Sequence, residues 1–159
     1  MVKLADPTGP ALFRQVRVGL NGRLFTMYKL RTMYMDAESH GRAIRADAGD
    51  HRVITICRWM RRSHLDELPQ LFNILRGDMS LVGPRPYTPP QRRMHALPEL
   101  YESLRPGLTG FWQIGPRGEG SDFALRAVED ARYWRELSLG VDLQVILRTA
   151  AIVAKGAGR

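Results

Sequence analysis

Cysteine and grouped metal-binding side chains are scarce in this sequence. Its 159 residues include one cysteine, Cys57, so the chain has no internal disulfide bond, which is typical of a reducing compartment. The four histidines stand at no spacing that would bring them together on one metal ion. We therefore expect neither a zinc site nor a disulfide-stabilised scaffold.

Long hydrophobic runs and nucleotide-binding glycine motifs are absent as well. No apolar run approaches the roughly 18 residues that a membrane-spanning helix needs. No secretory signal precedes Arg14, and the glycine-rich motif of a P-loop does not occur. The sequence is that of a soluble or membrane-surface protein, or of a piece of a longer protein whose membrane segment lies elsewhere.

Acidic residues are outnumbered by basic ones. The chain has 24 lysine and arginine residues against 16 aspartate and glutamate residues, which gives a net charge of +8. Such a surplus favours anionic partners, namely phosphates, nucleic acids or an anionic membrane surface. Aromatic residues are not interleaved with the basic ones as in proteins that bind single strands, so we do not expect a nucleic-acid partner.

Residues 12–33, LFRQVRVGLNGRLFTMYKLRTM, predict a β-hairpin. Two β-rich runs flank Asn21 and Gly22, a pair that tolerates the positive φ angles of a tight turn. Lys29 and Arg31 are two residues apart, which places them on one face of the second strand. That basic face is either a charged edge that prevents unwanted strand pairing or a surface for phosphates, and composition alone favours the first.

Residues 63–86, SHLDELPQLFNILRGDMSLVGPRP, contain two adjacent acids in this basic chain. Proline is tolerated only in the first turn of a helix, so Pro69 predicts a helix that begins near Asp66 and ends at Gly77. Asp66 and Glu67 would lie at the positive end of its dipole. The apolar side chains expected to face the core are those of Leu68, Phe72 and Leu75.

The acid pair has two interpretations. An aspartate at a helix start followed by a glutamate is a common structural pattern without any function. The same dipole would hold both carboxylates ionised, as suits a nucleophile or a metal ligand. Arg85 is similarly ambiguous: between Pro84 and Pro86 it is either a surface-turn residue or a rigidly presented phosphate ligand.

The remaining patterns are mainly helical. Residues 52–62 are apolar on one side and rich in arginine on the other, which suits a core helix or a helix at a membrane interface. Further helices are predicted around 97–104, over 122–139 and over 141–154, and a short helix and a loop over 34–51. We expect one helix-dominated α+β domain over 1–159, with a small antiparallel hairpin and interfacial amphipathic helices.

Four stretches in order make the chain resemble the bacterial sugar transferase family, the monotopic polyprenyl-phosphate phosphoglycosyl transferases. The second stretch is by far the most specific, and together they cover most of the chain between residues 12 and 149. The stretches are LFRQVRVGLNGRLFTMYKLRTM, RRSHLDELPQLFNILRGDMSLVGPRP, RPGLTGFWQI and EDARYWRELSLGVDLQVILRT.

The resemblance implies a reaction. A UDP-sugar would give its phospho-sugar to polyprenyl (undecaprenyl) phosphate, which yields polyprenyl diphosphate sugar and UMP, with Mg²⁺ as the cofactor. Asp66 would be the nucleophile that carries the phospho-sugar, and Glu67 would assist in magnesium binding or proton handling, so both acids are candidate metal ligands. The implied phosphate ligands are Lys29, Arg61, Arg85 and Arg117, although the loop around Arg117 differs from the family's usual turn.

The resemblance also implies the cytoplasmic face of the bacterial membrane as the location. Family members usually begin with a hydrophobic membrane-embedded segment, and the residues before Leu12 contain none, so we expect this chain alone to be partly soluble. A catalytically inert remnant and a basic lipid-binding module are the alternatives. A polyanion-binding module would gain nothing from two acids among its arginines, and the sequence specifies neither the sugar nor the oligomeric state.

Overall fold

The structure is a computed structural model that describes residues 6–34, 52–115 and 123–155. Within those ranges the chain has an α+β fold, as predicted. The strands are β1 (Leu12–Val18), β2 (Leu24–Leu30), β3 (Ser80–Val82) and β4 (Gly107–Thr109). The helices are α1 (Arg58–Arg62), α2 (Gln70–Leu75), α3 (Pro89–Arg92), α4 (Pro98–Glu102), α5 (Phe111–Ile114), α6 (Phe123–Glu136) and α7 (Leu139–Ala154). The predicted short helix and loop over 34–51 lie almost entirely outside the described residues.

The predicted hairpin is confirmed. Strands β1 and β2 pair antiparallel, with Val18 opposite Leu24. Asn21 and Gly22 carry the turn with φ angles of 55° and 72°, which few residues other than glycine and asparagine adopt. The backbone N–H of Val18 donates to the carbonyl of Tyr87 at 2.9 Å. This bond ties the hairpin to the segment that contains the proline-bracketed arginine.

A second, parallel pair of strands was not predicted. Ser80 of β3 lies opposite Gly107 of β4, and each strand has three residues, too few for a readable alternation of apolar and polar side chains. The two backbones approach so closely that a Cβ atom on Gly107 would collide with the backbone of Gly83. Glycine is therefore required at this crossing, which fixes the loop carrying Arg85 against β4.

Helix α2 is oriented opposite to the prediction. It begins at Gln70 and not near Asp66, and the expectation that Leu68, Phe72 and Leu75 face the core is wrong. Phe72 is 67% exposed and Leu75 is 84% exposed. The buried face is polar because Asn73 bonds to the hairpin: its amide oxygen accepts from the Tyr28 N–H at 3.2 Å, and its Nδ2 donates to a β2 carbonyl at 2.7 Å. The side of α2 that packs on β2 is therefore polar, and the apolar stripe is exposed.

The helix predicted over 52–62 is shorter in the structure. Val53 forms a β-bridge with Met33, a 3₁₀ turn follows at Thr55–Cys57, and α1 itself covers Arg58–Arg62. Cys57 and Met60 are buried in one small core cluster. Trp59 on the same helix is about half exposed.

The C-terminal helices agree with the prediction. Helices α6 and α7 lie within a few residues of the predicted 122–139 and 141–154. Tyr133 of α6 and Val145 of α7 pack with Val82 of β3 in a second core cluster. In the described part of the chain, no helix is both long and apolar enough to cross a bilayer.

Candidate active site

The two acids lie in a tight turn between α1 and α2. Leu65–Glu67 form one 3₁₀ turn, which follows His64 in a left-handed conformation with a φ angle of 56°. Asp66 is 8% exposed. The predicted place of the pair in the first turn of a helix is therefore wrong, since Pro69 and the helix it precedes come after both acids. The charges of Lys29, Arg61 and Arg85 act on the two carboxylates, where a helix dipole was expected.

Glu67 forms an ion pair with Lys29. The Lys29 Nζ atom lies 2.6 Å from Oε1 of Glu67, and both side chains are largely buried. Burial by itself would raise the pKa of Glu67, but the charges of Lys29 and Arg85 outweigh burial and lower that pKa to about 2. Glu67 is thus an ionised carboxylate at neutral pH. Its ion pair holds the ammonium group of Lys29, on β2, at the turn that contains the two acids.

Asp66 differs from its neighbour. Burial raises its pKa, while the charges of Lys29 and Arg61 act in the opposite direction. No described residue donates a hydrogen bond to its carboxylate. The environments of the two acids thus shift their pKa values in opposite directions. A buried carboxylate without a hydrogen-bond donor keeps its lone pairs available for a nucleophilic or metal-binding role.

A shallow cleft lies beside the ion pair. Arg85 reaches it from the loop after β3, and its charge acts on Glu67. Of the predicted site residues, Lys29, Glu67 and Arg85 line this cleft. The polar or charged side chains that line it with them belong to Arg17, Gln70 and Gln113.

The other predicted phosphate ligands lie elsewhere. Arg61 donates from Nη1 to the Thr32 hydroxyl at 3.2 Å and acts on Asp66 by its charge, so it flanks the acid pair and does not line the cleft. Arg117 lies outside the described residues. Arg31, on the same predicted face as Lys29, is instead paired with the buried Asp6.

A model of the bacterial sugar transferase family matches residues 1–156. The chain belongs to the bacterial sugar transferase family. The chain is 44% identical over 155 residues to an undecaprenyl-phosphate glucose phosphotransferase of Komagataeibacter xylinus, a match that covers 91% of this chain and 29% of that protein. It is 45% identical over 157 residues to the UDP-glucose:undecaprenyl-phosphate glucose-1-phosphate transferase of Caulobacter vibrioides. This match covers 93% of this chain and 58% of that protein.

A third relative names a different sugar. The UDP-N-acetylgalactosamine-undecaprenyl-phosphate N-acetylgalactosaminephosphotransferase of Aeromonas hydrophila is 37% identical over 167 residues, with 99% of this chain and 38% of that protein covered. The chain thus spans between about three tenths and about three fifths of the length of these three relatives. Membership of the sugar transferase family therefore does not identify the sugar.

Sequence reasoning missed two of the arginines near the cleft. Arg17 lies on β1 between the exposed Val16 and the buried Val18, so the alternation of apolar and polar residues gave no signal for it. Arg126 of α6 lies over the Trp112 and Phe123 rings at 5.0 Å from each ring centre. The charges of Arg85 and Arg126 both act on Arg17.

We expect Lys29→Met to destabilise the fold in a pH-dependent way. The pKa of Glu67 falls from its ordinary value of 4.5 to about 2 on folding, so its ionised form adds stability above pH 4.5 that is lost as the pH falls through 2. Without Lys29 the carboxylate keeps less of that stabilisation. The free energy of urea unfolding should thus differ most between the variant and the original protein above pH 4.5.

The matched control is Arg93→Met, which removes an exposed positive charge outside the cleft. Its unfolding free energy should follow that of the original protein at every pH. A Lys29→Met defect of the same size at pH 2 and pH 6 would contradict the assigned ion pair.

Proposed function

We propose that this chain is the catalytic part of a phosphoglycosyl transferase that moves a sugar phosphate from a UDP-sugar to undecaprenyl phosphate. The observation that carries the proposal is the buried Asp66, which accepts no hydrogen bond from the described residues, next to the Lys29–Glu67 pair and beside a cleft lined by Arg17 and Arg85. The names of the relatives, which state transfer of a sugar phosphate to undecaprenyl phosphate, support the same reaction.

The chemistry proposed for Asp66 is attack on the sugar-side phosphorus of the donor. A new bond forms between a carboxylate oxygen and that phosphorus, the bond to the bridging oxygen breaks, and the electron pair leaves on UMP. An oxygen of undecaprenyl phosphate then attacks the same phosphorus and releases Asp66. Repulsion between an anionic nucleophile and a diphosphate opposes the first step, so the charges of Lys29, Arg61 and Arg85 lower its barrier.

Mg²⁺ fits the donor set as a proposed cofactor. Magnesium is usually held by one or two carboxylates together with substrate phosphates and water. Asp66 and Glu67 supply two carboxylates, and the described residues contain no cluster of three or more acidic, histidine or cysteine side chains that could hold a metal without substrate. When bound by these acids, the ion would neutralise part of the charge of the diphosphate.

The proposed acceptor requires contact with a membrane. Leu68, Leu71, Phe72 and Leu75, here termed the apolar ridge, are all exposed on or next to α2. Arg62 and Arg76, at the ends of α1 and α2, are exposed as well. Apolar side chains flanked by positive charge are typical of segments that bind an anionic lipid surface, and this ridge follows the acid pair directly in the chain.

We expect Phe72→Glu to reduce binding to phosphatidylglycerol-containing vesicles about tenfold or more. Withdrawing a buried aromatic side chain from an apolar phase costs about 1.5–3 kcal/mol, and the added carboxylate is repelled by anionic lipid. Co-sedimentation measures the effect. The melting temperature should not change, since Phe72 is exposed.

Val128→Glu is the control for this experiment, because Val128 is an exposed apolar residue of α6 outside the ridge. It adds the same charge and should leave vesicle binding nearly unchanged. Equal losses for both variants would mean that charge alone, and not the apolar ridge, governs membrane binding.

The function itself is tested by UMP release. The protein is incubated with a panel of UDP-sugars, Mg²⁺ and undecaprenyl phosphate in detergent or nanodiscs. Release that requires both the lipid and one particular sugar supports the transferase and identifies the donor. The absence of release with every sugar, by a protein that still binds vesicles, favours the inert or lipid-binding alternative.

A further inference from the structure

Arg17 has hydrogen-bonding capacity that the fold does not use. Its Nη1 donates to the carbonyl of Pro86 at 2.7 Å, and its Nη2 donates to the side chain of Gln15. Its Nε atom is buried and has no hydrogen-bond partner among the described residues. No described residue forms an ion pair with Arg17. Burial and the nearby charge of Arg85 lower the pKa of Arg17 to about 10, so it is still charged at neutral pH.

Gln70 is a second unused donor in the same cleft. It is 2% exposed, and its Nε2 atom has no hydrogen-bond partner among the described residues. Gln70 and Arg17 both line the cleft beside the acid pair. Buried donors are nearly always paired in folded proteins, so two unpaired donors in one cleft indicate that a ligand supplies the acceptors. A guanidinium among the donors favours an anionic oxygen.

The cleft does not include every charged residue near the acid pair. Arg17, Gln70 and Arg85 line it, whereas Asp66 and Arg61 do not. The charges that act on Asp66 include those of Lys29 and Arg61. A diphosphate has two anionic centres, so the donors that line the cleft match the phosphate that Asp66 does not attack.

We propose that Arg17 and Gln70 bind the nucleotide-side phosphate of the donor, the phosphate that leaves as UMP. This inference rests on the proposed function. When the bond to the bridging oxygen breaks, the released electron pair adds negative charge to that phosphate. Arg17 and Gln70 stabilise this charge, while Lys29 and Arg61 serve the phosphorus that is attacked.

UMP binding to the complete chain in detergent tests this subsite without sugar or lipid. Isothermal titration gives the dissociation constant, and thermal unfolding gives the melting temperature with and without UMP. We expect Arg17→Ala to weaken UMP binding about ten- to a hundredfold, as for loss of a charge-assisted hydrogen bond. Arg17→Lys should recover part of the affinity, because it keeps the charge but not the planar group.

A second variant separates loss of UMP binding from loss of the hydrogen bond between Arg17 and the Pro86 carbonyl. Gln70→Glu keeps the side-chain shape and replaces the free donor with an anionic oxygen, so it should weaken UMP binding at least tenfold. The control Arg93→Ala removes an exposed charge and should bind UMP normally. A lower melting temperature of Arg17→Ala with unchanged UMP affinity, or unchanged affinity of Gln70→Glu, overturns the subsite.

The experiment also separates this inference from the proposed function. If the original protein releases UMP from a UDP-sugar and both variants bind UMP normally, the transferase stands and the subsite is wrong. If no UDP-sugar is a substrate but UMP binding requires Arg17 and Gln70, the subsite stands and the proposed reaction is wrong. Failure of the original protein to bind UMP overturns the subsite directly.

Discussion

Replacing Asp66 by asparagine should lower UMP release at least about a thousandfold, while the protein remains folded. An amide cannot replace the carboxylate as the nucleophile toward phosphorus, and loss of a covalent nucleophile is among the largest effects of a single substitution. Stability should be retained because burial disfavours the ionised Asp66 and no described residue donates to it. The rates are measured with the preferred UDP-sugar and undecaprenyl phosphate.

Glu99→Gln is the matched control, because Glu99 is an exposed acid on α4 outside the cleft. It should release UMP at the original rate. If Asp66→Asn retained activity, the acid would be a structural turn residue. If Asp66→Asn melted at a much lower temperature, its loss of activity would no longer identify a nucleophile. The interpretation of the acid pair as a structural pattern without function would then be the better one.

Replacing Arg85 by alanine should lower kcat/KM about a hundredfold or more. Removing one charged donor from an anionic transition state typically has an effect of this order. Arg85 is held between Pro84 and Pro86, it lines the cleft, and its charge acts on Glu67 as well as on Arg17, so we expect it to contact the diphosphate. Its loss should also raise the pKa of Glu67.

Arg85→Lys tests whether charge alone is sufficient. Lysine keeps the positive charge but cannot contact two oxygens with a planar group, so the variant should recover only part of the lost activity. Steady-state kinetics of both variants, with Arg93→Ala as the control, give the comparison. An unchanged kcat/KM of Arg85→Ala would exclude Arg85 from the active site.

The hairpin and the two C-terminal helices could be predicted because their patterns are local. Asn21 and Gly22 encode their own turn, and the long periodic segments encode α6 and α7. The parallel pair of β3 and β4 could not be predicted, because it depends on contact between segments far apart in the chain and on close backbone approach at Gly107. Pattern arguments do not contain such information.

Helix α2 shows a different limit of sequence reasoning. Its apolar stripe predicted a core-facing side, but Asn73 turns the polar side inward by bonding to β2. A pattern reports which side chains share a face, and it does not report whether the apolar partner is the core or a membrane. The same inversion exposes the apolar ridge immediately after the acid pair.

The residues of the candidate site were predicted unevenly. The acid pair, Lys29 and Arg85 came from the resemblance, and the cleft brings three of these four together. Arg17 and Gln70 lie within the stretches that carry the resemblance, but we assigned no role to either from the sequence. Only the three-dimensional structure gives their burial and their donors without a partner among the described residues. The opposite pKa shifts of the two acids likewise depend on residues distant in sequence.

Mass spectrometry of the protein after brief incubation with the preferred UDP-sugar and Mg²⁺, without lipid, tests the central claim most directly. We expect a mass increase of one phospho-sugar, located in the tryptic peptide of residues 63–76 that contains Asp66. The adduct should disappear when undecaprenyl phosphate is added, and it should never form in Asp66→Asn. Lipid-dependent release of UMP without any adduct on this peptide would contradict the covalent role of Asp66.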